Sequence, residues 1–395
     1  MIKIKVENLV KVFGNQPEAA MKLLAQGFTK EQILEKTKQA IGIGGVSFDV
    51  HEGEILVIMG LSGSGKSTLI RCLNRLIEPT SGKIYIDELE VTAMTLKELR
   101  ELRQKKLGMV FQRFALFPHK TVQQNVEYGL EIQDVEPGLR AQKAVSSLEL
   151  VGLKGWESNY PSQLSGGMQQ RVGLARALAI DPDILLMDEA FSALDPLIKR
   201  EMQDELLALQ NRVKKTIVFI THDLDEAIKI GDRIVLMKDG LVVQQGTPED
   251  ILTNPATEYV EKFVENVDIS KVLTAQRVMR NVGTVAYLKD GPRTVLRKMQ
   301  DAGISSIFVV NNDYMIQGIV MAEDAAAAIE RGEKSVSEII RRDTPQVVPG
   351  TPISELYTMM SNGSYPLAVV DDDSKLLGVI IKGSIIAALA GRSES

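Results

Sequence analysis

Residues 55–68 read Ile55-Leu56-Val57-Ile58-Met59-Gly60-Leu61-Ser62-Gly63-Ser64-Gly65-Lys66-Ser67-Thr68, and this stretch decides the fold. The five apolar residues suit a strand buried on both faces, and the helical pattern of residues 69–76 follows the glycines. From Gly60 to Ser67 the chain matches G-x-x-x-x-G-K-[ST], a loop that cradles phosphate. The glycines let backbone N–H groups close around phosphate oxygens, and the helix N-terminus adds positive potential. Lys66 neutralises β/γ charge, Ser67 is placed to ligate Mg²⁺, and Ser62, Gly63, Ser64, Gly65 and Thr68 complete the loop.

The other half of the site lies at Asp183-Ile184-Leu185-Leu186-Met187-Asp188-Glu189. Four apolar residues make a buried strand whose end projects two acids toward the phosphates. Asp188 then holds Mg²⁺, directly or through water, and Glu189 polarises the attacking water.

Working outward, residues 2–13 and 43–59 read as β-rich, with a helical insertion at 15–42 in which Thr29 and Gln32 are spaced as a capping box. Helical patterning dominates from about 95 to 180, and strands return at 184–187, 217–221 and 234–237. The expected cassette, residues 1–265, is therefore α/β: a mostly parallel sheet with an inserted helical subdomain. After a boundary near 265–275 the chain repeats itself at a constant offset of 60 residues, pairing Pro292 with Pro352, Leu296 with Leu356, Met299 with Met359 and Gly303 with Gly363. The register continues through Val309/Val369, Val310/Val370, Asp313/Asp373 and Gly318/Gly378. Each copy reads as helix, strand, turn, strand, helix, giving a pair of α+β units at about 275–333 and 335–392 within residues 268–395.

A length of 395 residues favours two domains. The net charge of −6 gives no nucleic-acid footprint, and a single cysteine, Cys72, excludes a disulfide framework and fits a reducing compartment. No run of about 18 apolar residues occurs and the N-terminus lacks a signal-peptide pattern, so the chain is not expected to cross a membrane itself.

With these residues in place, the first two-thirds of the chain resembles an ATP-binding-cassette (ABC) ATPase, a P-loop NTPase. Leu164-Ser165-Gly166-Gly167-Met168-Gln169-Gln170-Arg171 matches the family's signature motif, about twenty residues before the acidic strand. The resemblance implies that Ser165 and Gly167, with Gly166 and Gln169 beside them, serve the γ-phosphate held by a second copy of the chain, so that hydrolysis needs a head-to-tail pair. Gln112 matches the loop glutamine that touches Mg²⁺ and water, His222 the histidine that contacts the γ-phosphate, and Phe13 the aromatic that stacks on adenine. Ser192-Ala193-Leu194-Asp195 matches the loop that crosses between protomers. The implied catalytic set is Glu189, His222, Lys66 and Gln112; the implied cofactors are ATP and Mg²⁺. His51 and His119 carry no such match.

Phe111-Gln112-Arg113-Phe114-Ala115-Leu116-Phe117-Pro118-His119-Lys120-Thr121-Val122 resembles the stretch by which bacterial importers couple to permease subunits. The insertion, with Ile58 to Ser64 and Leu73-Asn74-Arg75-Leu76-Ile77-Glu78-Pro79, resembles the ATPases of glycine betaine and proline betaine importers, and the repeated units resemble tandem cystathionine-β-synthase (CBS) domains. The implied role is the peripheral ATPase on the cytoplasmic face of the plasma membrane, working with permease subunits and a substrate-binding protein or domain. A soluble ABC-type ATPase with a CBS metabolite sensor, or an importer for another small polar substrate, is the alternative. The CBS units depart from the family's adenine-nucleotide pattern, with Met321 where a hydroxyl belongs and Ser384 where an acid belongs. The resemblance to betaine transporters implies instead a sensor of ionic strength or of cyclic di-AMP. Lys271, Arg277, Arg280, Arg341 and Arg342 are its candidate contacts to a dinucleotide or anionic lipid.

Overall fold

The computed structural model describes the chain apart from residues 113, 266, 268, 269, 271, 362–364 and 391–395. Expectations placed on Arg113, Lys271 and Gly363 therefore lie outside the described residues. The chain divides into two compact units, Met1–Val267 and Asp268–Ser395.

The first unit opens with β1 (Ile2–Phe13), and the insertion supplies α1 (Pro17–Ala25) and α2 (Lys30–Thr37) before β2 (Ala40–His51) returns antiparallel to β1. The capping box forms: the Gln32 amide N–H donates to Thr29 Oγ1, and the Thr29 amide N–H donates to Gln32 Oε1 at 3.0 Å. Such a cap contributes about 1 kcal/mol to fixing where a helix begins. The two helices bury Ala20 and Ile33 against Val10, Val12 and Ile41, a small core of their own.

β3 (Ile55–Met59) is buried at every residue, as its apolar run requires, and α3 (Lys66–Leu73) follows the phosphate loop. β4 (Ser81–Ile86) and β5 (Leu89–Glu90) extend the first sheet to the order β2-β1-β4-β5. Then come α4 (Leu96–Lys105), β6 (Leu107–Val110), α5 (Val122–Ile132), α6 (Pro137–Leu150) and α7 (Gly166–Ala179). The alternation β7 (Ile184–Asp188), α8 (Pro196–Val213), β8 (Thr216–Thr221), α9 (Leu224–Ile230), β9 (Arg233–Lys238), β10 (Leu241–Gly246) closes the second sheet, and α10 (Pro248–Thr253) and α11 (Glu258–Val264) end the unit. That sheet runs β10-β9-β3-β8-β7-β6, parallel throughout except for the edge strand β10. The structure is thus the α/β cassette expected, but a separate antiparallel sheet, β2-β1-β4-β5, stands beside the mostly parallel one, and β4, β5, β6 and β10 are strands the sequence reading did not place. β6 interrupts the helical tract, because a four-residue run with a central glycine carries no strand signal of its own and is made a strand by pairing with β7. Cys72 lies in the core, where burial pushes its thiol up to about 12 and keeps it protonated.

In the second unit the repeat is visible element by element. Helix Pro292–Ala302 and strands Ser306–Val310 and Ile316–Met321 correspond to helix Ile353–Ser361 and strands Leu367–Val370 and Leu376–Ile380. In both turns one side chain, Asn311 or Asp371, accepts from the backbone N–H groups two and four residues on. The following residues Tyr314 and Ser374 share a left-handed φ of 63° and 61°. Each copy also has a short parallel strand before its helix, Ala286–Tyr287 and Gln346–Val347, that the sequence pattern did not announce.

Candidate nucleotide site

Two glycines shape the phosphate loop. At Gly60 (φ +148°) a Cβ would lie 2.1 Å from the Met237 carbonyl oxygen, and at Gly65 (φ +100°) 2.4 Å from that of Gly42. Both positions are left-handed and crowded by backbone, so only glycine fits. Lys66, first residue of α3, is 5 % exposed and folds back to donate to the carbonyls of Gly60 (2.8 Å) and Leu61 (3.1 Å). Burial lowers its pKa, opposed by the charges of Glu189 and Asp188. Ser64 Oγ is buried inside the loop without a hydrogen-bond partner among the described residues. A buried cation satisfied only by carbonyls and an orphaned hydroxyl are what a polyphosphate would complete.

β7 delivers the acids. Asp188 is 3 % exposed; its Oδ1 accepts from Ser67 Oγ (2.9 Å) and its Oδ2 from Arg71 Nη2 (3.1 Å). Glu189, just past the strand, has φ +47°, a left-handed backbone that carries about 1–3 kcal/mol of strain in a non-glycine residue and re-aims its side chain. Its Oε2 accepts from Gln112 Nε2 at 3.0 Å, and its Oε1 lies 3.6 Å from His222 Nδ1. Gln112 also reaches Ser192 Oγ at 3.4 Å. Gln112 and His222, distant in sequence, therefore converge on the Glu189 carboxylate, one residue past the Asp188 that holds Ser67. The Ser67 hydroxyl and the Asp188 carboxylate, 2.9 Å apart, are oxygen donors of the kind that suits a hard cation keeping waters and substrate phosphates.

Phe13 ends β1 and is 41 % exposed, with Lys11 Nζ 5.2 Å from its ring centroid. Gly42 ties it to the loop: a Cβ there would meet the Phe13 ring at 2.7 Å and Thr68 Cγ2 at 3.3 Å. The signature residues bond locally. Ser165 Oγ accepts from the Met168 amide (3.4 Å) as the cap of α7, and Gln169 Nε2 donates to the Pro161 and Leu164 carbonyls. Ser165 and Gly166 are exposed, and Gly167 is buried. Asp195 caps α8, accepting from Leu197 and Ile198. His119 packs edge-on to Phe117, outside the cluster.

Several neighbours have no motif to announce them. Arg71 competes for Asp188, as described. Beneath His222, Glu226 is 3 % exposed and accepts from Thr221 Oγ1 and Gln203 Nε2, while Lys199 bonds Asp223 at 2.7 Å. Burial raises the Asp223 pKa, but the hydrogen bond from Lys199 and backbone amides outweigh it and hold the carboxyl below its usual range. Asn125 pins the segment after Gln112, accepting from the Phe117 amide and donating to the carbonyls of Phe117, Lys120 and Thr121. Arg176 donates to the carbonyls of Phe114 and Ala115. Tyr259 of α11 buries its hydroxyl beside the Leu61 backbone, with Lys238 Nζ 4.5 Å over its ring. Lys30 of α2 donates to the Gly63 carbonyl at 3.2 Å. A helix signature such as Lys-Glu-Gln gives no hint of such a reach.

In the second unit Arg341, expected to attract a dinucleotide or lipid, is already engaged with Asp324 (2.8 Å) and the Tyr365 hydroxyl. A cavity of about 410 Å³ is lined by Arg280, Asn281, Thr284, Ser305, Val379 and Ile381 among others.

The family model described as "ABC transporter" matches residues 43–192, and that described as "CBS domain" matches 272–331 and 336–391. The chain is 57% identical to "Glycine betaine transport ATP-binding protein OpuAA" of Bacillus subtilis (strain 168), over 100% of this chain and 94% of the relative. It is 56% identical to "Glycine betaine/carnitine transport ATP-binding protein GbuA" of Listeria monocytogenes, over 99% and 98%. Identity to the "Glycine betaine/proline betaine transport system ATP-binding protein ProV" of Escherichia coli is 48%, over 98% of each chain. Among solved structures, the dimeric post-hydrolysis state of the ATP-binding cassette MJ0796 bound to ADP and Pi superposes with a TM-score of 0.53 at 33% identity, covering 62% of this chain and 98% of that one.

Proposed function

The chain belongs to the ATP-binding-cassette family of transport ATP-binding proteins, and from that premise we propose that it hydrolyses ATP to drive import of glycine betaine or a related quaternary amine through a membrane permease. The observation that carries this is Glu189, held between Gln112 and His222 at the end of the strand that presents Asp188 to Ser67. Similarity over nearly the whole chain, insertion and C-terminal unit included, to three betaine transport ATP-binding proteins supports the substrate class.

In this mechanism Phe13 stacks on adenine, and Lys66 with the N–H groups of the 60–68 loop holds the β- and γ-phosphates. The Glu189 carboxylate orients a water and accepts its proton as the oxygen attacks the γ-phosphorus; the bond to the bridging oxygen breaks, leaving ADP and phosphate. Gln112 fixes the carboxylate that does this, and His222 donates to the γ-phosphate. Mg²⁺, which Ser67, Asp188 and Gln112 would hold, supplies positive charge to the phosphates. Ser165, Gly166, Gly167 and Gln169 act on the site of a second copy, and Asp195 stiffens the loop that crosses to it. The segment 111–122, pinned by Asn125 and Arg176, carries movement of Gln112 to the permease.

No helix of the described residues is long and apolar enough to cross a membrane, so the proposed place of action is peripheral, at the cytoplasmic face beside the permease. Membrane fractionation tests this directly: the chain sediments with a hydrophobic partner, and a chain found only in the supernatant would exclude the importer reading.

The C-terminal unit is read as a sensor of ionic strength or cyclic di-AMP, with Arg277, Arg280 and Arg342 as candidate contacts for a dinucleotide or anionic lipid. Because Met1–Val267 is a compact unit with its own cores, removing residues 268–395 should leave ATPase activity and abolish its dependence on salt or dinucleotide. Regulation that survives in the shortened transporter would overturn this assignment.

A further inference from the structure

We propose that Lys30 is a specificity-determining residue for the nucleotide: carried by the inserted helix to the backbone of the phosphate loop, its ammonium is a second cation for the polyphosphate of ATP. The inference rests on reading the 60–68 loop as the ATP site.

Lys30 Nζ lies 3.2 Å from the carbonyl oxygen of Gly63, at the crown of that loop, although 33 residues separate the two in sequence. Its position is set by a packed element. The capping box at Thr29 fixes where α2 begins, which makes Lys30 the helix's first residue, and Ile33 one turn on is fully buried in the core shared with Val10, Val12 and Ile41. Both ends of the insertion also close on the loop. Phe13 at its start and Gly42 at its finish touch each other; Gly42 abuts Thr68, and its carbonyl fills the space where Gly65 would carry a Cβ. The insertion is therefore built against the nucleotide loop.

The chemistry separates the two lysines. Lys66 is buried and held by two carbonyls. Lys30 is half-buried, rests on one neutral carbonyl and forms no ion pair among the described residues. An ammonium on a flexible four-carbon stem, left with so weak a partner, is available to a tri-anionic or tetra-anionic group that settles in the loop. Within a Debye length of about 8 Å at physiological salt its attraction is felt, scales with the charge on the phosphates, and changes affinity by about three- to tenfold.

The test is equilibrium binding of ATP, ADP and AMP to the full-length chain, by displacement of a fluorescent ATP analogue, for wild type, Lys30→Ala, Lys30→Arg and Lys66→Ala, with steady-state kinetics on the complex with its permease. The expected results are a three- to tenfold weaker ATP affinity for Lys30→Ala, a smaller loss for ADP and least for AMP, with KM for ATP rising more than kcat falls. Lys30→Arg restores affinity, and the difference narrows as salt is raised. Wild-type ATP affinity in Lys30→Ala, with binding abolished in Lys66→Ala, would overturn the proposal and leave the ATP site standing. An equal loss for all three nucleotides that Lys30→Arg fails to rescue would also overturn it, marking Lys30 as a prop for the loop. Undiminished binding in Lys66→Ala would instead remove the ATP-site reading itself.

Discussion

Replacing Glu189 with Gln should leave ATP binding intact, cut turnover by roughly 10²–10⁴-fold, the usual worth of a general base, and trap two chains around the nucleotide. The substitution changes one oxygen for an amide nitrogen and little else. The remaining carbonyl oxygen still accepts from Gln112 Nε2, which lies 3.0 Å from the present carboxylate, so the segment after β6 keeps its anchor. The left-handed backbone at Glu189 tolerates glutamine as it tolerates glutamate, since strain there comes from the Cβ both share. What is lost is the capacity to take a proton from water. Phosphate release and size-exclusion chromatography in ATP check this: a slow enzyme that elutes as a pair is expected, and unchanged turnover would contradict the role given to Glu189.

The second large effect concerns which chain completes which site. Lys66→Ala removes the buried cation of the phosphate loop, and Ser165→Arg places a bulky cation on an exposed helix start while removing a cap worth about 1 kcal/mol. Each variant alone should lose nearly all hydrolysis. Co-expressed, they should recover about a quarter of wild-type turnover, because random pairing makes half the dimers mixed and each mixed dimer has one intact site. Sites built within one chain would leave the mixture inactive, since every chain would carry a lesion in its own site. Ser165 caps α7 through Met168 and Gln169 bonds back to the Pro161 and Leu164 carbonyls, which leaves the exposed Ser165–Gly166 step open to a second copy.

The parts of this site legible in the sequence are those whose chemistry is contiguous. Glycines 60 and 65, Lys66 and Ser67 sit on one loop, and Asp188 and Glu189 end one apolar strand, so spacing alone places them. The repeat of the C-terminal unit was equally plain, because a fixed offset of 60 residues is preserved down to the Asn311 and Asp371 turns. What spacing does not encode is which distant side chain arrives next to these. Arg71 meets Asp188 across 117 positions, Lys30 meets Gly63 through the packing of an insertion, and Tyr259 reaches Leu61 from the last helix of its unit. β6 was missed for the same reason: four residues with a glycine gain strand identity only from their neighbour β7. Arg341 shows the converse. Its charge suggested a free basic contact, and the fold spends that charge on Asp324 and Tyr365.

The central claim is that this ATPase powers betaine import. The most direct measurement is uptake of labelled glycine betaine into vesicles holding the complex of this chain with its permease, energised by internal ATP while internal salt is raised. Uptake that requires ATP, fails with Glu189→Gln and switches on with salt is the expected result. A complex that hydrolyses ATP in step with its permease yet moves no betaine would contradict the claim, leaving the cassette in place and the substrate wrong.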